Sequence, residues 1–295
     1  MKLLRAAALA GSALAALSAI ACTTTDDGMG AAMDMAMSGP KAFGGFSGPE
    51  SATYDAEHDR FLVPSTGGSG DGYVTALNPD GSVQAARWVS GSDTVALANP
   101  LGSEARNGVF YAVDTPYIRR FDLETAEPLP SLHVEGAQIL NDLDVAADGS
   151  VYVTEMGSQD PDTWKVMKIA PDGTVSTFAQ GEALGRPNGL DIGPDGRIYL
   201  APVGIAAIVV LDPDGSVAET IALPDRSNDG IIALEDSIIV SRPGAGVIER
   251  VWPDGTIETL TDATPGGASI GYDPTRKRII VPSVRQNTIS LLDIE

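Results

Sequence analysis

The sequence predicts an all-β fold, a six-bladed β-propeller built from four-stranded antiparallel blades. Three observations carry that prediction. A hairpin unit recurs six times at spacings of about 40 to 50 residues. A second kind of hairpin falls between successive copies, so that each repeat holds four strands. No amphipathic period near 3.6 residues persists after residue 43, so helices are few.

The first hairpin type runs through "YDAEHDRFLVP" (54–64), "LGSEARNGVFYAVD" (101–114), "LDVAADGSVYVTE" (143–155), "LDIGPDGRIYLAP" (190–202), "IIALEDSIIVS" (231–241) and "IGYDPTRKRIIVP" (270–282). Several copies place Asp-Gly between apolar runs, a strong short-range hairpin signal because the turn needs the positive φ that glycine supplies. The second type follows as "VTALNPDGSVQAARWV", "IRRFDLETAEPLPSLHV", "VMKIAPDGTVSTFA", "IVVLDPDGSVAETIAL" and "IERVWPDGTIETLT". The sixth interval ends in one strand, "TISLLDIE", and so lacks an outer partner; "KAFGGF", just ahead of the first unit, is expected to supply it and close the ring. The propeller is one domain over residues 43–295.

The segment before it reads differently. "MKLLR" precedes an apolar run from Ala6 to Ala21 that ends in small residues, the pattern of an export signal over residues 1–21. The chain's one cysteine, Cys22, follows Ala19-Ile20-Ala21 and resembles the lipidated cysteine of a bacterial lipobox; the alternative is an ordinary signal peptide containing a cysteine. Thr23 after it resembles lipoproteins sent to the outer membrane, so the expected location is the periplasm, with a lipid anchor as the only membrane contact. Residues 22–42 are small and polar and read as a flexible tether. They include Met29, Met33, Met35 and Met37, soft donors without a nearby His or Cys, which leaves a plain linker. With no second cysteine there is no disulfide framework, and stability rests on the core.

The 295 residues carry a formal charge of −21. Loss of Lys2 and Arg5 with the leader leaves 17 basic against 40 acidic residues, or −23. Such a surface repels nucleic acid and anionic lipid and favours divalent cations.

In a propeller, the innermost strand of each blade runs beside the axis, and the residues just before it stand at one mouth of the channel. Those positions hold Glu50, Asn99, Asn141 with Asp142, Asn188, Asn228 with Asp229, and Ser269. A set of carboxylates and carboxamides without histidine is a hard-oxygen site, suited best to Ca²⁺ and next to Mg²⁺ or Mn²⁺. Zn²⁺ fits such a composition less well. A lone Asn at such a place is often a turn or strand cap; Asn or Glu in five of the six units is not explained that way.

"GPESATY", "LNDLDV", "RPNGL" and "SNDGI" together resemble the SMP-30/gluconolactonase family of six-bladed propellers over residues 43–295. The resemblance implies one divalent metal on the axis, held by Glu50, Asn188 and Asp229, with Asn141 as a further ligand. It also implies that Asn141 and Asp142 lie beside the substrate; Asn99 and Asn228, at the corresponding mouth positions of their units, are expected as further substrate contacts. The family's sugar-lactone hydrolases have an Arg two residues before the Asn-Asp pair, where this chain has Ile139; a less polar ester or lactone is then expected. Arg186 and Arg242 lie near channel-facing segments and are alternative cations, or else surface charges.

The reaction expected is metal-assisted hydrolysis of a lactone or related ester. Neither His58 nor His133 belongs to a channel segment, so the general base is a carboxylate, Asp229 first and Asp142 second. No G-x-S-x-G segment supports a serine hydrolase. Gly-rich "STGGSGDG" (65–72) lacks the ending of a phosphate loop and is expected to be a long loop over one mouth. A rival reading is a non-catalytic ligand- or protein-binding propeller of the NHL type with a structural metal, since fold alone does not determine function.

Overall fold

The computed structural model describes residues 40–67, 71–92 and 94–295. Leader, Cys22 and nearly all of the tether lie outside them.

Six four-stranded antiparallel sheets form the blades. Blade 1 is β2 (Thr53–Asp55), β3 (Arg60–Ser65), β4 (Tyr73–Leu77) and β5 (Val83–Ser90); blade 2 is β6 (Ser103–Arg106), β7 (Val109–Asp114), β8 (Tyr117–Asp122) and β9 (Pro128–His133). Blade 3 is β10 (Leu140–Val145), β11 (Val151–Glu155), β12 (Lys165–Ile169) and β13 (Val175–Gln180). Blade 4 follows as β14 (Gly189–Ile192), β15 (Ile198–Ala201), β16 (Ala207–Leu211) and β17 (Val217–Ala222), and blade 5 as β18 (Ile231–Ala233), β19 (Ile238–Arg242), β20 (Val247–Val251) and β21 (Ile257–Thr261). Blade 6 has β22 (Gly271–Asp273), β23 (Arg278–Ser283) and β24 (Thr288–Asp293), and β1 (Lys41–Gly44) pairs with β24 to complete it. The ring thus closes as expected, with the closing strand starting at Lys41, two residues inside the stretch read as tether.

The Asp-Gly turns explain why the hairpins form where they do. At Gly196 φ is +79°, and Asp195 Oδ1 accepts the N–H of Arg197 at 3.1 Å, holding the turn from the side chain. Asp80, Asp148, Asp172, Asp214 and Asp254 accept the amide two residues on in the same way.

The core is a set of layers between blades rather than a central mass. Leu62 and Val74 of blade 1 meet Phe110 and Phe121 of blade 2, and five comparable clusters join the other neighbours. Each fully buried Leu or Phe in these layers contributes about 1.5–3 kcal/mol.

At the axis the inner strands come into backbone contact. Ser269 donates its N–H to Glu50 O (3.0 Å), Ala52 donates to Ser269 O (3.2 Å), and Gly102 donates to Asn141 O (2.9 Å). Glycines make this approach possible: a Cβ on Gly189 would lie 1.9 Å from Asp229 O, and one on Gly230 would lie 2.4 Å from Ile270 N. Both obstacles are backbone and have nowhere to move. Gly189→Ala is therefore expected to destabilise the fold by about 2–3 kcal/mol, read from urea unfolding; an unchanged midpoint would show that blades 4 and 5 do not abut there.

Candidate functional site

Blade 3 supplies two neighbouring side chains to the axis, which a regular strand cannot do. The pairing of β10 with β11 slips between Leu140 and Leu143, so that three residue steps on one strand oppose two on the other. Leu140, Leu143 and Val145 all enter the core between blades. The bulge consequently leaves Asn141 and Asp142 together on the channel side. Asp142 Oδ2 accepts from the Ser269 hydroxyl (3.0 Å) and from Leu190 N–H (3.2 Å), and Asp142 Oδ1 accepts from Leu143 N–H (2.9 Å). It ties blades 3, 4 and 6 together across the channel.

Above that tie lie acceptor oxygens with no partner. Glu50 Oε2, Asn141 Oδ1, Asn188 Oδ1 and Asp229 Oδ1 are buried and make no hydrogen bond. The orientation of Asn188 follows from its donor: Nδ2 points to Asn228 O (3.3 Å), which leaves Oδ1 for the channel. Its carbonyl takes the Thr154 hydroxyl at 2.7 Å, fixing the backbone just ahead of Gly189. An unmet buried acceptor costs about 1–3 kcal/mol, so four of them around one axis describe a place for a donor or a cation.

The electrostatics agree. Burial, then the charges of Asp229 and Asp142, push the Glu50 carboxyl well above the usual range. Burial and the charge of Asp142 raise Asp229 to about 8, against a lowering hydrogen bond from Asn188. Burial raises Asp142 to about 7, opposed by the bonds from Leu190, Ser269 and Leu143. Among the described residues no group of three His, Cys, Asp or Glu side chains is set to hold a metal. The oxygens at this mouth are instead two carboxylates and two carboxamides, with Asp142 beneath them, a donor set that fits a hard cation such as Ca²⁺.

Other residues singled out from the sequence lie elsewhere. Asn99 is exposed, its amide N–H bonded to Asp114 (2.8 Å), and blade 2 offers Leu101 and Gly102 at the level where the others offer oxygen. Asn228 is fully buried and its Nδ2 turns toward blade 4, donating to Pro202 O, Ile205 O and Ala207 O, while its Oδ1 is a further buried oxygen without a partner. Arg242 is committed to Glu249 and Asp225. Arg186 has a φ of +62° and a buried Nε without a partner. His58 is held by Asp55 and Glu124 at a lower turn, and His133 stacks on Tyr117 in the outer part of blade 2. Among the described residues no helix is long and apolar enough to cross a membrane.

A second acidic group escaped the sequence reading. The opposite end of the channel opens into a cavity of about 670 Å³ whose wall carries Glu104, Asp144 and Asp191. Asp142 and Ser269 form its inner end, so the cavity stops at the tie beneath the orphaned oxygens. Burial and mutual repulsion raise Glu104 and Asp191 well above their usual range, and burial raises Asp144. These acids have partners: Asp144 takes the N–H of Ile192 (2.9 Å), Asp191 that of Ala233 (2.7 Å), and Glu104 the Thr53 hydroxyl (3.1 Å). The signal available in the sequence was their alternation with apolar residues inside the inner strands.

Comparison with known proteins places this geometry. A gluconolactonase from Xanthomonas campestris superposes with a TM-score of 0.66 at 18% identity, covering 90% of this chain and 94% of that one. Virginiamycin B lyase from Staphylococcus aureus superposes at 0.62 with 14% identity, covering 86% and 99%. A chain of a nidogen–laminin complex superposes at 0.60 with 13% identity, covering 72% and 79%. At such identities the likeness is one of fold. No curated protein sequence matches the chain. The family model described as "SMP-30/Gluconolactonase/LRE-like region" matches residues 49–265, a span that contains Glu50, Asn141, Asn188 and Asp229, and the chain belongs to that family.

Proposed function

We propose that this propeller is a divalent-metal-dependent hydrolase of a lactone or related ester, exported and anchored at the periplasmic side of the outer membrane through a lipid on Cys22. The observation that carries the catalytic reading is the set of buried, partnerless oxygens on Glu50, Asn141, Asn188 and Asp229, in a chain of the gluconolactonase-like family. Those four residues would hold the cation, with Ca²⁺ suiting the donor set best and Mg²⁺, Mn²⁺ or Zn²⁺ as alternatives. Bound there, it supplies a Lewis acid for the substrate carbonyl and for the charge that develops on its oxygen.

The chain's own residues divide the remaining work. Asp229 is the general base: with Oδ1 turned to the cation, its second carboxylate oxygen is left to take the proton. Asp142 stands second: its three hydrogen bonds fix it as the negative floor of the site. The carboxamide of Asn141 orients the substrate from blade 3. Backbone contact around Gly189 and Gly230 narrows the channel below the site.

Metal-stripped protein is expected to bind Ca²⁺ tightly in a calorimetric titration and to lose that binding in Asn188→Ala. Asp229→Ala is expected to lose both binding and at least a hundredfold in lactone or ester turnover. Full activity in Asp229→Ala would overturn the mechanism. No binding by the parent would overturn the metal-dependent reading in favour of a binding propeller.

The raised carboxylates also set a pH dependence. The folded protein keeps protons on Asp142 and Asp229 that the unfolded chain releases near pH 4. Their contribution to stability is therefore complete below about pH 4 and is lost as pH rises through about 7 to 8. In chelator, the thermal midpoint is expected to fall between pH 5 and 8, and saturating Ca²⁺ to raise it most at pH 8. Asp229→Asn is expected to flatten the chelator profile; an equally steep profile in that variant would show that other groups set it.

A further inference from the structure

The mouth above the orphaned oxygens carries an apolar side chain where a polar substrate would want a donor. Ile139 is 39% exposed, one of four large hydrophobic residues so exposed among the described residues. Val83 and Val217 stand at the outer strands, and Val284 follows β23; Ile139 alone stands two residues before a residue pair at the axis.

Its placement is rigid. Glu155, itself buried, accepts the N–H of Ile139 (2.9 Å), of Gln138 (2.8 Å) and of Gly157 (2.7 Å). The carbonyl of Ile139 takes the N–H of Met156 (2.9 Å), which extends the pairing of β10 with β11 by one bond. The backbone is thus extended through residues 139–141, where successive side chains face opposite ways. Leu140 is fully buried in the core between blades 2 and 3. Ile139 consequently stands on the same face as Asn141, about 7 Å further up the wall. An isolated exposed Ile is ordinary on a protein surface. An exposed Ile fixed by a three-amide carboxylate, one strand period above an orphaned carboxamide oxygen, is part of the wall that a substrate meets.

We propose that Ile139 is the specificity-determining residue of this mouth and selects a lactone or ester whose substituent beside the reacting carbonyl is an alkyl chain rather than a polyhydroxylated one. This rests on the hydrolase reading above and narrows its substrate class. Arg242 does not offset it, because it is sealed between Glu249 and Asp225, and Arg186, on the segment ahead of β14, has its Nε buried.

The test uses two series on the full chain with saturating Ca²⁺. In the first, kcat/KM is measured for five-membered lactones bearing alkyl substituents of increasing length and for a polyhydroxylated sugar lactone. In the second, calorimetry measures binding of the corresponding alkyl lactams, which resist hydrolysis. Each methylene is expected to raise kcat/KM and lactam affinity about two- to fourfold over the first few carbons. Ile139→Asn is expected to flatten both series, in kcat/KM and in lactam affinity alike. A chain-length dependence equally steep in Ile139→Asn, or a parent preference for the sugar lactone, would overturn the proposal. No turnover of any lactone, with lactam binding still dependent on chain length and on Ile139, would overturn the hydrolase reading and leave the alkyl-binding wall standing. Lactam binding indifferent to chain length would remove the wall itself.

Discussion

Steric contact between inner strands at the axis is the constraint on which the rest of this structure depends. Six blades can share one axis only if their first strands pass within backbone reach, and here they do so without side chains in the way. Gly102, Gly189, Gly230 and Gly271 each face a neighbour's backbone or the Asp142 carboxylate at a distance that no Cβ tolerates. Gly189 follows Asn188 and Gly230 follows Asp229, positions from which an oxygen-bearing side chain reaches the channel. The pair Asn188-Gly189 is then one device with two parts: the glycine lets blades 4 and 5 meet, and the meeting point aims the carboxamide.

The same closeness forces charge together. Buried carboxylates occur at two levels of one channel, and both levels are pushed toward the protonated form by desolvation and repulsion. What separates the levels is hydrogen bonding. The lower acids receive backbone amides or a hydroxyl from the next blade and so serve as ties between strands too far apart to pair directly. Glu50 and Asp229 each keep a buried oxygen with nothing opposite it. Folding alone gives no reason to leave those groups unmet, since the channel wall elsewhere shows how cheaply an amide can be supplied. A ligand that met them would be a hydrogen-bond donor or a cation.

Most of the fold was legible because its signals are local. An Asp-Gly turn announces itself within four residues, and the period of the turns counts the blades. The site was legible where register and alternation agree, as at Glu50, Asn188 and Asp229. It failed where loop length intervened. Asn99 stands four residues before β6, too early, and Leu101-Gly102 takes the axial level in its place. Asn228 differs in another way: three carbonyls of blade 4 claim its Nδ2, while its Oδ1 stays buried without a partner. The bulge in β10 was visible in principle, since apolar residues at 140, 143 and 145 break the alternation that a flat strand needs. The lower acids were missed because attention went to residues before the strands rather than within them.

A shared scaffold among a gluconolactonase, a lyase and a chain of a nidogen–laminin complex means that chemistry resides in what the loops deliver to the axis. In this chain the delivery is unusually stiff. Glu155 gathers three amides at the top of blade 3, and Asp114 gathers those of Ala98 and Asn99 together with Arg119 at the top of blade 2. Both acids end the second strand of their blade and hold the segment leading into the first. That arrangement decouples two properties. The oxygens nearest the axis are constrained by backbone contact between blades, whereas the residues one strand period above them are presented by a separate carboxylate clamp. A residue such as Ile139 can therefore change without disturbing the ring of oxygens below it, which is the condition under which one scaffold comes to present different side chains above the same oxygens.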